Sequence, residues 1–331
     1  MASNVTADMC MSECHEHKLC AAVSRMSHED PIGSAAMHDR YVLVEVPVPW
    51  ESPIADSKHF PAGLMDVIKR AMDQGQIFRF LSFVSDQHRS PKDCRRVLYY
   101  KRPSPSFARF VKTEYLVPEM ELNELVEMII CEPDRLNRFD AYELDSTNVR
   151  DLFVCTHGSH DVCCGKFGYP IYKLLEDNYA AQSSGMLRVW RASHFGGHRY
   201  APTIADLPEG RYWAHIEPSD LDTLVHRKGE FSGISRKYRG WGGIGKYEQM
   251  LEREIFIREG WDWIEYNKSA VVINEEGKSV QVKIEYSSID ESVSGEYEGT
   301  IAVSNSVKIG GCGNETKDVE QYVVQKIMKL R

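Results

Sequence analysis

Hydrophobic positions begin to repeat at Tyr41. The β-branched run Tyr41–Val46, ended by Pro47 and Pro49, predicts a strand. A helical pattern follows over Gly63–Met72, then a strand over Ile77–Val84 and two strand-like runs, Arg96–Tyr100 and Ala108–Tyr115. A second helix over Glu121–Ile130 places Leu122, Leu125, Val126 and Ile129 on one face. Residues 131–150 are charged and weakly periodic, which predicts a boundary. Beyond it the order returns: a strand over Leu152–Cys155, a helix over Cys164–Ala181 and a strand over Leu187–Arg191. Thr203–Leu207 and Arg211–Ile216 flank the turn Pro208-Glu209-Gly210 as a hairpin, and Ser219 is placed to cap a helix over Asp220–Arg227. A helical pattern covers Lys246–Glu259. Three strand-like runs, Ala270–Ile273, Ser279–Tyr286 and Tyr297–Val303, then predict a small antiparallel sheet closed by a helix over Val319–Leu330.

Both halves thus read β-α-β-β-β-α. That order matches a thioredoxin-like unit, in which a parallel βαβ crossover is followed by a hairpin and a last helix. The expected fold class is α/β: two thioredoxin-like units, the N-terminal one a pseudo-repeat without ligands, plus a small C-terminal antiparallel β extension. The expected bounds are a mobile leader at 1–40, the first unit at 41–135, the second at 145–265 and the extension at 266–331. Two α/β domains of unrelated topology are the alternative, and strand order distinguishes the two readings.

With 42% hydrophobic and 27% charged residues over 331, the chain has a globular composition and enough length for two cores. Its net charge of −9 supplies no field toward nucleic acid or anionic lipid, so a protein or small-molecule partner is expected instead. No apolar run approaches the ~20 residues that span a bilayer. Met1–Cys20 has no apolar segment of signal-peptide type, which points to the cytoplasm. Nine cysteines, two of them the adjacent Cys163 and Cys164, read in a reducing compartment as metal ligands, reactive thiols or packing residues.

The densest chemistry is Cys155-Thr-His-Gly-Ser-His-Asp-Val-Cys163-Cys164-Gly165, which runs from a strand end to a helix start. That location stabilises thiolates through the helix dipole and unpaired amide N–H groups, and Asp161 is placed to cap the helix. The second run is Ser193-His194-Phe195-Gly196-Gly197-His198-Arg199, just after the next strand. In a parallel βαβ unit both loops leave the same carboxyl edge, which brings the cysteine pair to the histidine pair.

At these residues the sequence resembles the sucrase/ferredoxin-like family of thioredoxin-like ferredoxins. The resemblance rests on C-x8-C from Cys155 to Cys164, with His157 and Asp161 inside it, and on H-x3-H from His194 to His198. It extends upstream through Asp30-Pro-Ile-Gly-Ser-Ala and Tyr41–Trp50, and downstream through Tyr212-Trp-Ala-His215 and Arg236–Trp241. It fades after about residue 265. The resemblance implies a [2Fe–2S] cluster with Cys155 and Cys164 on one iron and His194 and His198 on the other. It also implies a soluble electron-transfer protein with a redox partner, a reductase or acceptor. Two imidazoles in place of thiolates raise the potential above that of all-cysteine ferredoxins. The outer imidazole N–H of each ligand allows reduction to be coupled to proton uptake.

Other readings stay beside this one. On spacing alone the Cys2His2 set suits zinc as well as iron–sulfur. Cys163 is the alternative to Cys164 as ligand, whereas His157 and His160 read as hydrogen-bonding or exposed neighbours. Arg191, Arg199 and Lys166 flank the site as cations that either tune it or stand by. Cys10, Cys14, His15, His17 and Cys20 read as a disordered leader rather than a second metal site, and Cys94, Cys131 and Cys312 as packing residues. Gly240-Trp-Gly242-Gly-Ile-Gly245 reads as a turn before a helix, because no convincing strand precedes it for a dinucleotide site. An enzyme with a structural cluster or zinc, and a redox sensor exposing Cys163 and Cys164 on cluster loss, are the functional alternatives. For a hydrolase, no pair of opposed carboxylates can be singled out.

Overall fold

The computed structural model describes residues 19–330. Helix α1 (Cys20–Met26) precedes β1 (Arg40–Glu45), so Leu19 onward, expected as part of a mobile leader, is packed structure. Cys10, Cys14, His15 and His17 lie outside the described residues. The first half continues through α2 (Leu64–Asp73), β2 (Arg79–Val84), β3 (Cys94–Lys101), β4 (Val111–Pro118) and α3 (Leu122–Cys131), with the short β5 (Glu143–Leu144) paired to β4. The second half comprises β6 (Arg150–Cys155), α4 (Tyr169–Asn178), β7 (Leu187–Ala192), β8 (Ile204–Leu207), β9 (Arg211–Trp213) and α5 (Leu221–His226). After it come β10 (Tyr238–Trp241), α6 (Lys246–Glu259) and four further strands: β11 (Asn267–Glu276), β12 (Ser279–Ser287), β13 (Ser294–Gly311) and β14 (Asn314–Lys329).

The first ten strands form one mixed sheet in the order β10-β9-β8-β6-β7-β2-β1-β3-β4-β5. Within it the halves share one strand order and one set of directions. β1 is parallel to β2 and antiparallel to β3, which pairs antiparallel with β4. β6 is parallel to β7 and antiparallel to β8, which pairs antiparallel with β9. The halves meet where β2 and β7 run antiparallel, at Phe83 opposite Ala192 and Val84 opposite Arg191.

Alternation along the strands sets the layers. In β1, Val42 and Val44 join the cluster under α2 and α3, while Tyr41 and Leu43 face the larger core shared with the second half. On that inner side the sheet curls. Tyr100, Lys112 and Glu114 of β3 and β4 reach Asp151 of β6 and Arg188 of β7, although two strands separate these pairs in the sheet order. Asp151 is fully buried and accepts hydrogen bonds from Tyr100 Oη (2.7 Å), Arg188 Nε (2.9 Å), Trp190 Nε1 (2.7 Å) and Lys112 Nζ. Burial pushes the Asp151 carboxyl up, but the charges of Arg188 and Lys112 and their hydrogen bonds overcome it and hold it below the ordinary value.

Three local expectations are corrected and one is extended. The segment Val319–Leu330, whose spacing fits a helix, is strand β14, because the long β13 needs a partner along its edge and Tyr322, Val323, Val324 and Ile327 suit a pleated surface. Cys312, expected as a packing residue, does pack against the cluster of Cys20, Ala21, Cys163 and Ala201, and it also forms the β13–β14 turn with Gly311 and Gly313. A strand, β10, does lead into the glycine run 240–245, with Gly240 and Trp241 as its last two residues. The turn before α5 is capped reciprocally by Glu217 and Asp220 rather than by Ser219, with Glu217 N–H donating to Asp220 Oδ2 at 2.8 Å.

Asp151→Asn removes the charge that pairs the buried Arg188 and Lys112 and is expected to cost about 3–5 kcal/mol in urea unfolding of the full chain. A loss below about 1 kcal/mol would show that this carboxylate does not hold the halves together. Since the folded-state carboxyl lies below its ordinary value, its contribution is complete above about pH 4 and disappears as pH falls through the folded value. Wild type should therefore lose more stability than the Asn variant on acidification from about pH 5 to pH 2.

Candidate metal centre

β6 and β7 are adjacent and parallel, with Cys155 opposite Ala192, so the segments that follow them leave the same edge of the sheet. After β6 the chain loops back into a π-turn, Cys164–Gly168, which runs directly into α4. The return is tight enough that a Cβ on Gly168 would stand 2.0 Å from the carbonyl oxygen of Cys155. After β7, Gly196 and Gly197 adopt positive φ and turn the chain into a 3-10 turn, His198–Tyr200.

This geometry gathers Cys155, Cys164 and His194. Their donor atoms lie within 4.8 Å of one another, and His194 Nδ1 is 3.9 Å from Cys155 Sγ and 3.7 Å from Cys164 Sγ. Both cysteines are buried and His194 is half-buried. The thiols split in character. Burial opposes ionisation of Cys155, but hydrogen bonds from Cys164 and His194 hold its thiol well below the ordinary value. Cys164, hydrogen-bonded to Cys155 and buried beside its charge, is pushed up. Two buried cysteine sulfurs facing an imidazole are a donor set suited to a thiophilic metal or to an iron–sulfur cluster.

His198, the fourth expected residue, lies nearby with its ring centre 5.9 Å from that of His194. Its Nδ1 is engaged elsewhere, 2.9 Å from Asp161 Oδ2 and 3.1 Å from Cys20 Sγ, which leaves Nε2 as the nitrogen free to bind a metal. The hydrogen bond to Asp161 is the main cause of its raised pKa.

Surrounding groups fix the His194 loop. His157 accepts a hydrogen bond at Nδ1 from the His194 N–H (3.3 Å) and donates from Nε2 to the Glu51 carbonyl (2.9 Å). Arg79 Nη2 donates to the His194 carbonyl at 2.9 Å, and Arg239 Nη1 to that of Gly196 at 3.1 Å. His160 is exposed and stacks on His194 with ring centres 4.1 Å apart. Of the flanking cations, Arg199 is bound to Glu29 and Tyr200, Arg191 lies over Tyr169, and Lys166 lies over Phe167. Tyr200, Tyr212 and Trp213 are buried in the core.

Cys163 turns away from this group. Its Sγ is 3.4 Å from Cys20 Sγ and 3.5 Å from Cys312 Sγ, forming a second thiol cluster that the sequence did not reveal. Its members are 143 and 149 residues from Cys163, and only the extra cysteine beside Cys164 hinted at another partner. Arg79, which holds the loop from elsewhere in the chain, carried no sequence signal, and Arg239 entered only as part of the Arg236–Trp241 stretch of the resemblance.

The model of the family described as sucrase/ferredoxin-like matches residues 31–240, more than half of the chain. The chain belongs to the sucrase/ferredoxin-like family. A relative from Meyerozyma guilliermondii, "Altered inheritance of mitochondria protein 32", is 30% identical over 159 residues, covering 44% of this chain and 55% of its own length. The chain thus spans about half the length of that curated relative. No solved structure matches it. Among the described residues, no helix is long and apolar enough to cross a membrane. The sucrase/ferredoxin-like segment contains Cys155, Cys164, His194, His198 and Cys163, whereas Cys20 and Cys312 lie beyond its two ends.

Gly168→Ala forces a methyl group into the Cys155 carbonyl and is expected to destabilise the full chain by about 1–3 kcal/mol or more. Gly233→Ala, whose added Cβ meets nothing within 4 Å, should change stability by no more than about 0.5 kcal/mol. Thermal unfolding of the two variants side by side checks the contrast.

Proposed function

We propose that this sucrase/ferredoxin-like chain is an electron-transfer protein holding a [2Fe–2S] cluster on Cys155, Cys164, His194 and His198, and that each half of its large sheet is a thioredoxin-like unit. The observation that carries the reading is the convergence of two buried thiols and His194 from the carboxyl ends of neighbouring parallel strands. Cys155 and Cys164 lie side by side, as two ligands of one iron would. The cluster supplies a one-electron couple, with a potential raised by imidazole ligation. The chain's own part is to bury the thiolates, to hold the His194 loop through His157 and Arg79, and to leave the two histidines at the half-exposed side where a redox partner protein would dock. Asp161 keeps a proton on Nδ1 of His198, which favours ligation through Nε2 and places an ionisable imidazole beside the redox centre.

A zinc site is the second reading. The 3.7–3.9 Å separations between His194 Nδ1 and the two sulfurs suit one tetrahedral ion as they stand.

The test is an absorption spectrum of anaerobically purified full-length protein, with iron, acid-labile sulfide and zinc assayed on the same sample. Visible charge-transfer bands with equal amounts of iron and sulfide, lost in Cys155→Ser and Cys164→Ser, are expected. His194→Cys should keep a cluster at a lower reduction potential. A colourless protein that stays colourless after iron–sulfur reconstitution would overturn the reading.

A further inference from the structure

We propose that Cys20, Cys163 and Cys312, with Asp161 as fourth ligand, form a second metal site, for a thiophilic cation such as Zn2+. The three sulfurs come from α1, from the turn after β6 and from the β13–β14 turn, and they meet with the Asp161 carboxylate inside a 4.8 Å circle. The Sγ–Sγ separations of Cys163 from Cys20 and Cys312 are 3.4 and 3.5 Å, and the Cys20 N–H donates to Cys312 Sγ at 3.3 Å. A tetrahedral zinc with Zn–S near 2.3 Å sets its sulfurs about 3.8 Å apart, so the cluster needs to open by only a few tenths of an ångström. A disulfide would need a much closer approach, about 2.05 Å, and would leave one of the three thiols over.

The surroundings are those of a closed structural site. Cys20 and Cys163 are 3% and 0% exposed and pack with Ala21, Ala201, Leu19 and Phe167. Asp161 is oriented twice over: its Oδ1 accepts the Cys163 N–H at 2.8 Å, and its Oδ2 pairs with His198 Nδ1 at 2.9 Å. Cys312 occupies the left-handed region at φ 50°, a conformation uncommon for a residue other than glycine, between Gly311 and Gly313. The cysteine thus stands at a turn position where backbone preference alone favours glycine or asparagine. The segment after α1 also holds the hairpin directly, through Ser27 Oγ to the Lys308 carbonyl (2.6 Å) and Asp30 N–H to Gln321 Oε1 (2.7 Å). A cation here would clip two segments from outside the family-matched residues onto the turn that carries Cys164.

The test uses full-length, reduced protein, Zn2+ as titrant against a chromophoric chelator, and Co2+ as a spectroscopic probe. Wild type is expected to bind Zn2+ at this site tightly, and the Cys155→Ser/Cys164→Ser double variant to retain one equivalent with thiolate-to-cobalt charge-transfer bands. Cys312→Ser at the partly exposed turn, and separately Cys20→Ser, should each weaken that binding by about 100-fold, the upper end of what losing a group beyond the ligands costs. Circular dichroism confirms folding of each variant. Zinc retained by Cys312→Ser and Cys20→Ser would overturn the proposal, as would a disulfide among the three that resists reduction under the conditions that free the other thiols. Iron content following Cys155 and Cys164, and zinc content following Cys20 and Cys312, keep its failure distinct from that of the electron-transfer reading.

Discussion

A carboxylate placed in an apolar core must collect its partners or lose its charge, and Asp151 collects them from both halves of the chain. It lies on β6, four residues before Cys155, and receives Arg188 and Trp190 from β7, Tyr100 from β3 and Lys112 from β4. Arg188 in turn grips Glu114 with two nitrogens, at 2.7 and 3.0 Å. Replacing these groups with hydrocarbon would cost little in burial; removing one of them alone leaves a charge stranded. The network therefore ties the curl of the sheet to the register of β6 and β7. That register sets Cys155 opposite Ala192 and so decides where the two loops emerge.

A second ionic lock does the same for the last part of the chain. Arg211 of β9 and Glu252 of α6 are fully buried and paired; Arg211 Nη1 also donates to Tyr238 Oη, and Trp263 Nε1 donates to Glu252 Oε1 at 2.8 Å. Lys268, buried at the start of β11, donates to the carbonyls of Trp263, Ile264 and Tyr266 and stays near the rings of Trp241 and Trp263. Through these groups α6 lies between the two sheets, and the four-stranded sheet is held close enough for its β13–β14 turn to reach α1.

Local order was largely legible from periodicity because most elements bury one face. The stripe Leu122, Leu125, Val126 and Ile129 describes one element against one layer, whereas β1 was legible as a β-branched run because it buries both faces, Tyr41 and Leu43 in one core and Val42 and Val44 in the other. β14 was not legible, since Tyr322, Val323 and Ile327 fit a helix as well as a strand and only pairing with β13 decides. The same limit applies to the chemistry. Cys155, Cys164 and His194 converge within one βαβ crossover, so spacing and topology together are enough to find them. Cys20 and Cys312 are 292 residues apart and are brought together only by long-range packing. Pattern along the chain carries no trace of that meeting.

The adjacent cysteines show how one short segment addresses two places. Cys163 has helical φ and ψ and leads into the π-turn, and successive side chains on a helical turn diverge by roughly 100°. Two neighbours in such a turn cannot face one centre, and here Cys164 faces Cys155 and His194 while Cys163 faces Cys20 and Cys312. Asp161, two residues earlier, caps the same turn and touches both surroundings. Its carboxylate lies within the second thiol cluster and also holds Nδ1 of His198. A cation drawn to the second cluster would compete with His198 for that carboxylate, and a weaker hold on Nδ1 changes how basic the other ring nitrogen is. On the proposed ligand set, in which His198 binds the first centre through Nε2, the shared Asp161 would link the two sites electrostatically.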